Sequence, residues 1–391
     1  MKVKFKGTKF LMPMVVALLA VLLLLPVAGT AKEFKLPPFI PIATYDVGSS
    51  AYRTTAMATE AITEHSGQKF RLLPASTDTA RMSALRSGAV PILTIGGGAT
   101  FASAGRAEFA EMGWGPQDVN IVWCPAITGI TLMVRGDSGL KSVADLKGKK
   151  VAYVEGSPGL NVQITAHLAF AGLTWKDVEV VNVPSYAAGC EGVISGLLDA
   201  AITVPTASFA RRLEASKYGI GYIALPFSDE AGWKKAAKVY PFWAKYKATN
   251  GAGVSPEKPL MCATYANPIA ITMTNQDPDL IYWYVKNLAE SYPIYAKKSA
   301  VMKENWTVQW CLDLINNTAI PVHPGAIRYW KEVGKWTPAM DKRNQELIAH
   351  KQALIELWRK ALTTAGKKAK GDGWVKYWQE VRTQAGPEFA W

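Results

Sequence analysis

Phe39-Ile40-Pro41-Ile42-Ala43-Thr44-Tyr45-Asp46-Val47-Gly48-Ser49-Ser50 opens a pattern that the chain goes on to write twice. The apolar, partly β-branched start reads as a buried strand, and Asp46 to Ser50 supplies turn and helix-capping residues. A helix is predicted from near Tyr52 to about Glu64. A strand over 70–74 follows, then the loop Ala75-Ser76-Thr77-Asp78 and a helix closing at Ser87-Gly88. The third strand, 90–95, stops at Gly96-Gly97-Gly98.

The second copy starts with the strand 150–154 and turns through Glu155-Gly156-Ser157-Pro158-Gly159. A helix over about 161–171 leads to strand 178–183 and then to Pro184-Ser185-Tyr186. The next helix ends at Ser195-Gly196, and strand 200–204 stops at Pro205-Thr206. Gly48 and Gly156 stand 108 positions apart, and so do Gly88 and Gly196. Each copy is β-loop-α-β-loop-α-β, an order that calls for right-handed crossovers and a parallel sheet. The fold class is therefore α/β, with two lobes and a ligand cleft between them. Ligands of open parallel sheets bind beyond the carboxyl ends of the strands. In both copies those ends carry Gly, Ser and Thr just before a helix. Glycine admits close backbone approach, and a helix start offers unpaired N–H groups and partial positive charge. That combination favours an anion.

Outward from the repeat, Ile130-Thr131-Leu132-Met133-Val134-Arg135 reads as the crossing into the second lobe, and Ile269-Ala270-Ile271-Thr272-Met273 as the return. Two crossings make a hinge. The stretch from 278 to the end is helical in pattern and should pad the first lobe. Its clearest helix, 341–361, has Leu347, Ile348, Leu354, Ile355 and Trp358 on one face. Trp374 and Trp378 suit packing anchors or a docking surface.

At the other end, Lys2, Lys4, Lys6 and Lys9 precede an apolar run that Pro26 breaks, and Gly29 and Ala31 have the small-x-small spacing of a cleavage site. An uncleaved anchor would need about 20 apolar residues, and this run ends sooner. Residues 1–31 are thus expected to be a signal peptide cleaved near Ala31, which places the mature chain in the periplasm. Roughly 360 residues then remain, enough for two domains. The expected division is 32–129 with 270–391 as lobe one and 130–269 as lobe two. The leader's four lysines account for four of the net +13, leaving +9. Those charges are scattered and the chain is exported, so nucleic acid is not the expected partner; an acidic small molecule fits better. The lysines within 367–370 read as a solvated helix end or linker. Cys124, Cys190, Cys262 and Cys311 have no CxxC spacing and apolar neighbours, consistent with four buried thiols or with any of three pairings.

The run Gly48-Ser49-Ser50-Ala51-Tyr52 after a first strand resembles the TAXI family of TRAP-transporter solute-binding proteins. So do Val134-Arg135-Gly136-Asp137-Ser138-Gly139 with Asp145-Leu146-Lys147-Gly148-Lys149, and Pro321-Val322-His323-Pro324-Gly325-Ala326. The likeness extends over nearly the whole mature sequence. It implies a type II periplasmic-binding fold and membrane permease subunits driven by an ion gradient, not ATP. It also implies organic acids, glutamate or related dicarboxylates and oxoacids, as the ligand class. Two features depart from the family pattern: the first loop has fewer glycines, and Thr77-Asp78-Thr79-Ala80-Arg81 stands where members often carry a Ser-Val-Glu-Asn type of run.

The candidate ligand residues follow from position. Arg81, one turn into a helix that starts at the cleft, matches a carboxylate bidentately or simply faces solvent. Arg53 is a second choice. Gly48, Ser49, Ser50 and Tyr52 belong to the first loop and helix start, where serine also serves as an N-cap. Ser157, Gly159 and Asn161 are their counterparts in the second copy. Thr77 and Asp78 cap the second helix, and Asp78 would repel an anion unless it orients Arg81 or accepts an ammonium. Thr203, Thr206, Tyr186 and Tyr265 complete the set. His65, His167, His323 and His350 show no metal spacing, and neither a GxSxG elbow nor a Walker A loop is present. Neither an enzyme nor a cofactor is expected. The expected role is a transport receptor that closes over a small organic or amino acid; a periplasmic sensor or an exported enzyme are the rivals.

Overall fold

A computed structural model of the chain describes residues 34–126, 129–366 and 372–386. The leader read at 1–31 and the basic stretch 367–370 lie outside them. The first half runs β1 (Phe39–Thr44), α1 (Ser50–Ser66), β2 (Lys69–Pro74), α2 (Asp78–Arg86), β3 (Ile92–Ile95), α3 (Gly98–Ala104) and β4 (Val119–Trp123). Next come β5 (Thr131–Arg135), β6 (Lys150–Val154), α4 (Pro158–Phe170), β7 (Glu179–Val183), α5 (Tyr186–Ser195) and β8 (Ala201–Thr203). After these come α6 (Ser208–Glu214), β9 (Ile220–Tyr222), α7 (Glu230–Val239) and the hairpin β10 (Ala244–Ala248) with β11 (Leu260–Thr264). The chain returns through β12 (Ile269–Met273).

Local chemistry sets these boundaries. Thr77 and Ser185 accept hydrogen bonds from the backbone N–H three residues on, capping α2 and α5, and Pro158 occupies the first turn of α4. The glycines matched across the 108-residue offset share a backbone state. Gly48 and Gly156 have φ of 95° and 67°, and Gly88 and Gly196 have 75° and 82°. Each closes a loop in the left-handed region that other residues reach only at a cost.

The two sheets repeat one another. In the first, the order is β2-β1-β3-β12-β4, with β1 parallel to β2 and β3 and β12 antiparallel to β3 and β4. In the second, β6 is parallel to β7, and β5 lies antiparallel between β8 and β9. A parallel bridge from Val151 to Ala200 joins the two pieces, so the order is β7-β6-β8-β5-β9. Each sheet takes its antiparallel strand from a crossing: β5 arrives from the first half and β12 returns from the second. Ile130 N–H donates to the Ala263 carbonyl at 2.7 Å and Asn267 N–H to that of Pro125 at 3.1 Å, so the crossings run side by side. This is the two-lobed α/β arrangement of type II periplasmic binding proteins. Ile40 and Ile42 at the centre of β1 are fully enclosed, and burying a side chain of that size stabilises by about 1.5–3 kcal/mol.

Seven helices complete the described chain: α8 (Pro278–Glu290), α9 (Tyr292–Lys298), α10 (Ala300–Asn305), α11 (Val308–Ile315), α12 (Pro324–Glu332), α13 (Pro338–Thr364) and α14 (Asp372–Ala385). They pack on the first sheet's side, α8 against α1 and α13 against α3. Trp374 and Trp378 are packing anchors: both meet Trp358 edge-on at 4.8 Å. Their indole N–H groups donate to the carbonyls of Ala110 and Gly105, each at 2.8 Å. The buried face of α13 differs from the expected one. Leu354 and Trp358 are buried, but Leu347, Ile348 and Ile355 are only half-buried, and Asn344 and Lys351 turn inward. The reason is polar. Asn344 accepts from Val322 N–H at 2.7 Å, and the Lys351 ammonium reaches Asp118, Asn120 and Thr274 at 2.7, 2.5 and 2.7 Å. All four cysteines are buried free thiols. No helix among the described residues is long and apolar enough to cross a membrane.

Candidate functional site

The carboxyl ends of the strands in both sheets meet around a small enclosed cavity. The first turn of α1, Ser49, Ser50 and Ala51, forms one wall. Tyr186 and Thr203 face it from the second sheet, and Tyr45, Tyr265 and Asn267 close it on the crossing side. Ile130, Leu160, Ile202 and Val204 supply an apolar floor. The free space is about 40 Å³, room for about three waters. Several of its polar groups are hydrogen-bonded within the protein. Tyr186 and Thr203 share a hydrogen bond at 3.0 Å, Tyr45 donates to Asn267 at 3.1 Å, and Ser49 donates to the Asp46 carbonyl at 2.8 Å while accepting from Tyr52 N–H. Burial raises the hydroxyl pKa of Tyr45, Tyr186 and Tyr265, keeping all three neutral. Burial likewise pushes the Cys190 thiol, near Tyr186, up to about 12.

Two seams hold the lobes shut. On one, Ser50 and Thr206 hydroxyls meet at 2.5 Å, Arg53 donates to the Thr206 carbonyl at 3.0 Å, and Ser208 N–H donates to the Gly48 carbonyl at 3.0 Å. On the other, Gly159 N–H donates to Asp78 at 2.8 Å and Thr79 N–H to the Gly156 carbonyl at 3.2 Å.

Of the residues singled out from sequence, Ser49, Ser50, Tyr186, Thr203 and Tyr265 come together on the cavity. Gly48, Thr206, Gly159 and Asp78 sit in the seams instead. Thr77 caps α2, and Tyr52 donates to the cap of α1. Both ends of the Asn161 amide clamp the Val154 backbone, at 2.8 and 2.9 Å, which gives it a structural use. Ser157 is fully buried at the start of α4 and does not line the cavity. Arg81 does not line the cavity. It is 1% exposed and pairs with Asp78 at 2.6 Å, so its charge is met by the protein itself. Tyr45 and Asn267 were not foreseen. Tyr45 does end the first strand, the position that strand-end logic favours, whereas nothing local distinguishes Asn267.

The two-lobed fold, with a cavity between its sheets, is the fold of the periplasmic solute-binding proteins. The chain belongs to the NMT1-like family, which it matches over residues 51–334. Among solved structures it is similar to the alkanesulfonate-binding protein SsuA of Xanthomonas axonopodis pv. citri, bound to MOPS. That match has 17% identity, covers 84% of this chain and 94% of that one, and has a TM-score of 0.44. The periplasmic aliphatic sulphonate binding protein SsuA of Escherichia coli matches at 15% identity over 84% and 89%, with a TM-score of 0.42. The glutamate-bound GluR0 ligand-binding core of Nostoc punctiforme matches at 14% over 68% and 98%, with a TM-score of 0.39.

Proposed function

We propose that this protein is the extracytoplasmic receptor of a TRAP-type, TAXI-branch secondary transporter, capturing a small organic acid and delivering it to membrane permease subunits. The observation that carries the reading is the enclosed cavity, with the first turn of a 17-residue helix as one wall. A helix start carries partial positive charge and serine hydroxyls, which suit a carboxylate. The apolar floor suits a short hydrocarbon or oxo-bearing tail. No formal cation lines the cavity, so one carboxylate at the start of α1 is favoured over two. Binding works by population shift: the solute stabilises the closed form because both lobes contact it only there.

Calorimetry with the mature chain across monocarboxylates, 2-oxoacids, dicarboxylates, amino acids and sulfonates tests this. Saturable heat from small monocarboxylates or oxoacids is expected, with dicarboxylates weaker. Binding confined to neutral or cationic solutes would overturn the acid reading.

A further inference from the structure

Beside the cavity, the seam between α2 and α4 holds a charge cluster that the solute site does not use. Asp78 opens α2 and is 2% exposed. One of its carboxylate oxygens accepts from Arg81 Nη2 at 2.6 Å, the other from Gly159 N–H at the start of α4, at 2.8 Å. Arg81 also donates to the Ala75 carbonyl at 2.7 Å, and its guanidinium lies 3.9 Å from the centre of the Tyr45 ring. Glycine encloses the carboxylate. A Cβ on Gly98 would lie 2.4 Å from Asp78 Cγ, and one on Gly159 would lie 2.7 Å from Asp78 Oδ2 and 2.2 Å from Gly98 N.

One helix start, that of α4, and one guanidinium therefore converge on a single carboxylate, which itself sits in the first turn of α2. With about half a positive charge from the α4 start, the donors amount to roughly one and a half positive charges against one negative. An environment of this kind, sealed by close backbone approach, is an anion seat, and here the occupant is the protein's own side chain.

We infer that Asp78 is a built-in anion. Its carboxylate fills the seat between Arg81 and α4 that an acid would otherwise take, latches the two lobes together, and leaves the start of α1 as the place for the solute's acid group. The last clause rests on the solute-receptor reading; the filled seat and the latch do not.

Asp78→Gly deletes the carboxylate and leaves Arg81 and the Gly159 N–H facing the space. The thermal midpoint of the solute-free protein is followed as formate or acetate is added, with ionic strength held constant by the salt of a bulky anion. The variant's midpoint is expected to rise saturably by several degrees, as for a ligand that binds only the folded state, while wild type does not respond. Adding Arg81→Met to the variant should abolish the rescue. A folded Asp78→Gly that ignores both anions overturns the inference. If that variant does not fold, Asp78→Asn decides by small-angle scattering. A radius of gyration larger than wild type's supports the latch, and an unchanged one overturns it. Solute calorimetry on wild type is a separate measurement, so failure there removes the receptor reading and leaves the rescue result standing.

Discussion

Arg81 and Gly159 show how a residue's role depends on what faces it. The sequence places Arg81 one turn into a helix at the cleft, and the structure agrees about the position. Its partner is Asp78, three residues earlier on the same face. That spacing is legible in the chain; the burial that converts a surface pair into a sealed one is not. Gly159 was read as a donor to solute and instead donates across the seam. Its lack of a side chain is what lets α4 approach Gly98. Gly159→Ala is accordingly expected to hold the lobes apart while leaving each intact. Solute affinity should fall at least about tenfold, the equivalent of roughly 1.4 kcal/mol of closure energy. The scattering radius should grow, and helical content should stay that of wild type. Calorimetry and scattering on the same preparation check both.

Among elements, the C-terminal helices were legible as helices but not in their facing. Periodicity in α13 points to an apolar stripe, yet the buried stripe includes Asn344 and Lys351, because their polar ends find partners on Val322, Asp118, Asn120 and Thr274. A hydrophobicity pattern has no way to register a buried lysine that is fully hydrogen-bonded. The tryptophans were legible as large apolar groups, and their shared edge-on cluster with Trp358 ties α13 and α14 to the loop carrying Gly105 and Ala110. Trp374→Ala removes one of the two rings packed on Trp358. A loss of about 3–5 kcal/mol is expected, measured by denaturant unfolding, with solute affinity unchanged because the cluster does not touch the cavity.

For the whole molecule, two buried imidazoles tie stability to pH. His167 is fully enclosed, its Nδ1 bonded to the Gln163 carbonyl at 2.8 Å and its ring edge-on to Trp243 at 4.9 Å. Burial pushes its pKa down to about 4 from 6.5, and His323, which caps α12, is shifted by burial to about 4 as well. Between those values the unfolded chain binds more protons than the folded one, so stability rises with pH across the window. The contribution is complete above pH 6.5 and is lost as pH falls towards 4. For His167 alone the loss amounts to about 3 kcal/mol. Denaturant midpoints at a series of pH values should show this slope, and His167→Phe should flatten it by about half. Local sequence alone carried the repeat, the order of elements within it, and the turns and caps at their ends. Those signals act within a few residues of backbone, where glycine, serine and proline fix the local geometry. The tertiary structure alone decided which side chains wall the cavity and what meets each buried charge. Asp78 and Gly159 are 81 residues apart, and Tyr45 and Asn267 are 222 apart. Pairings over such distances are set by how two sheets close on one another, which no local stretch of chain encodes.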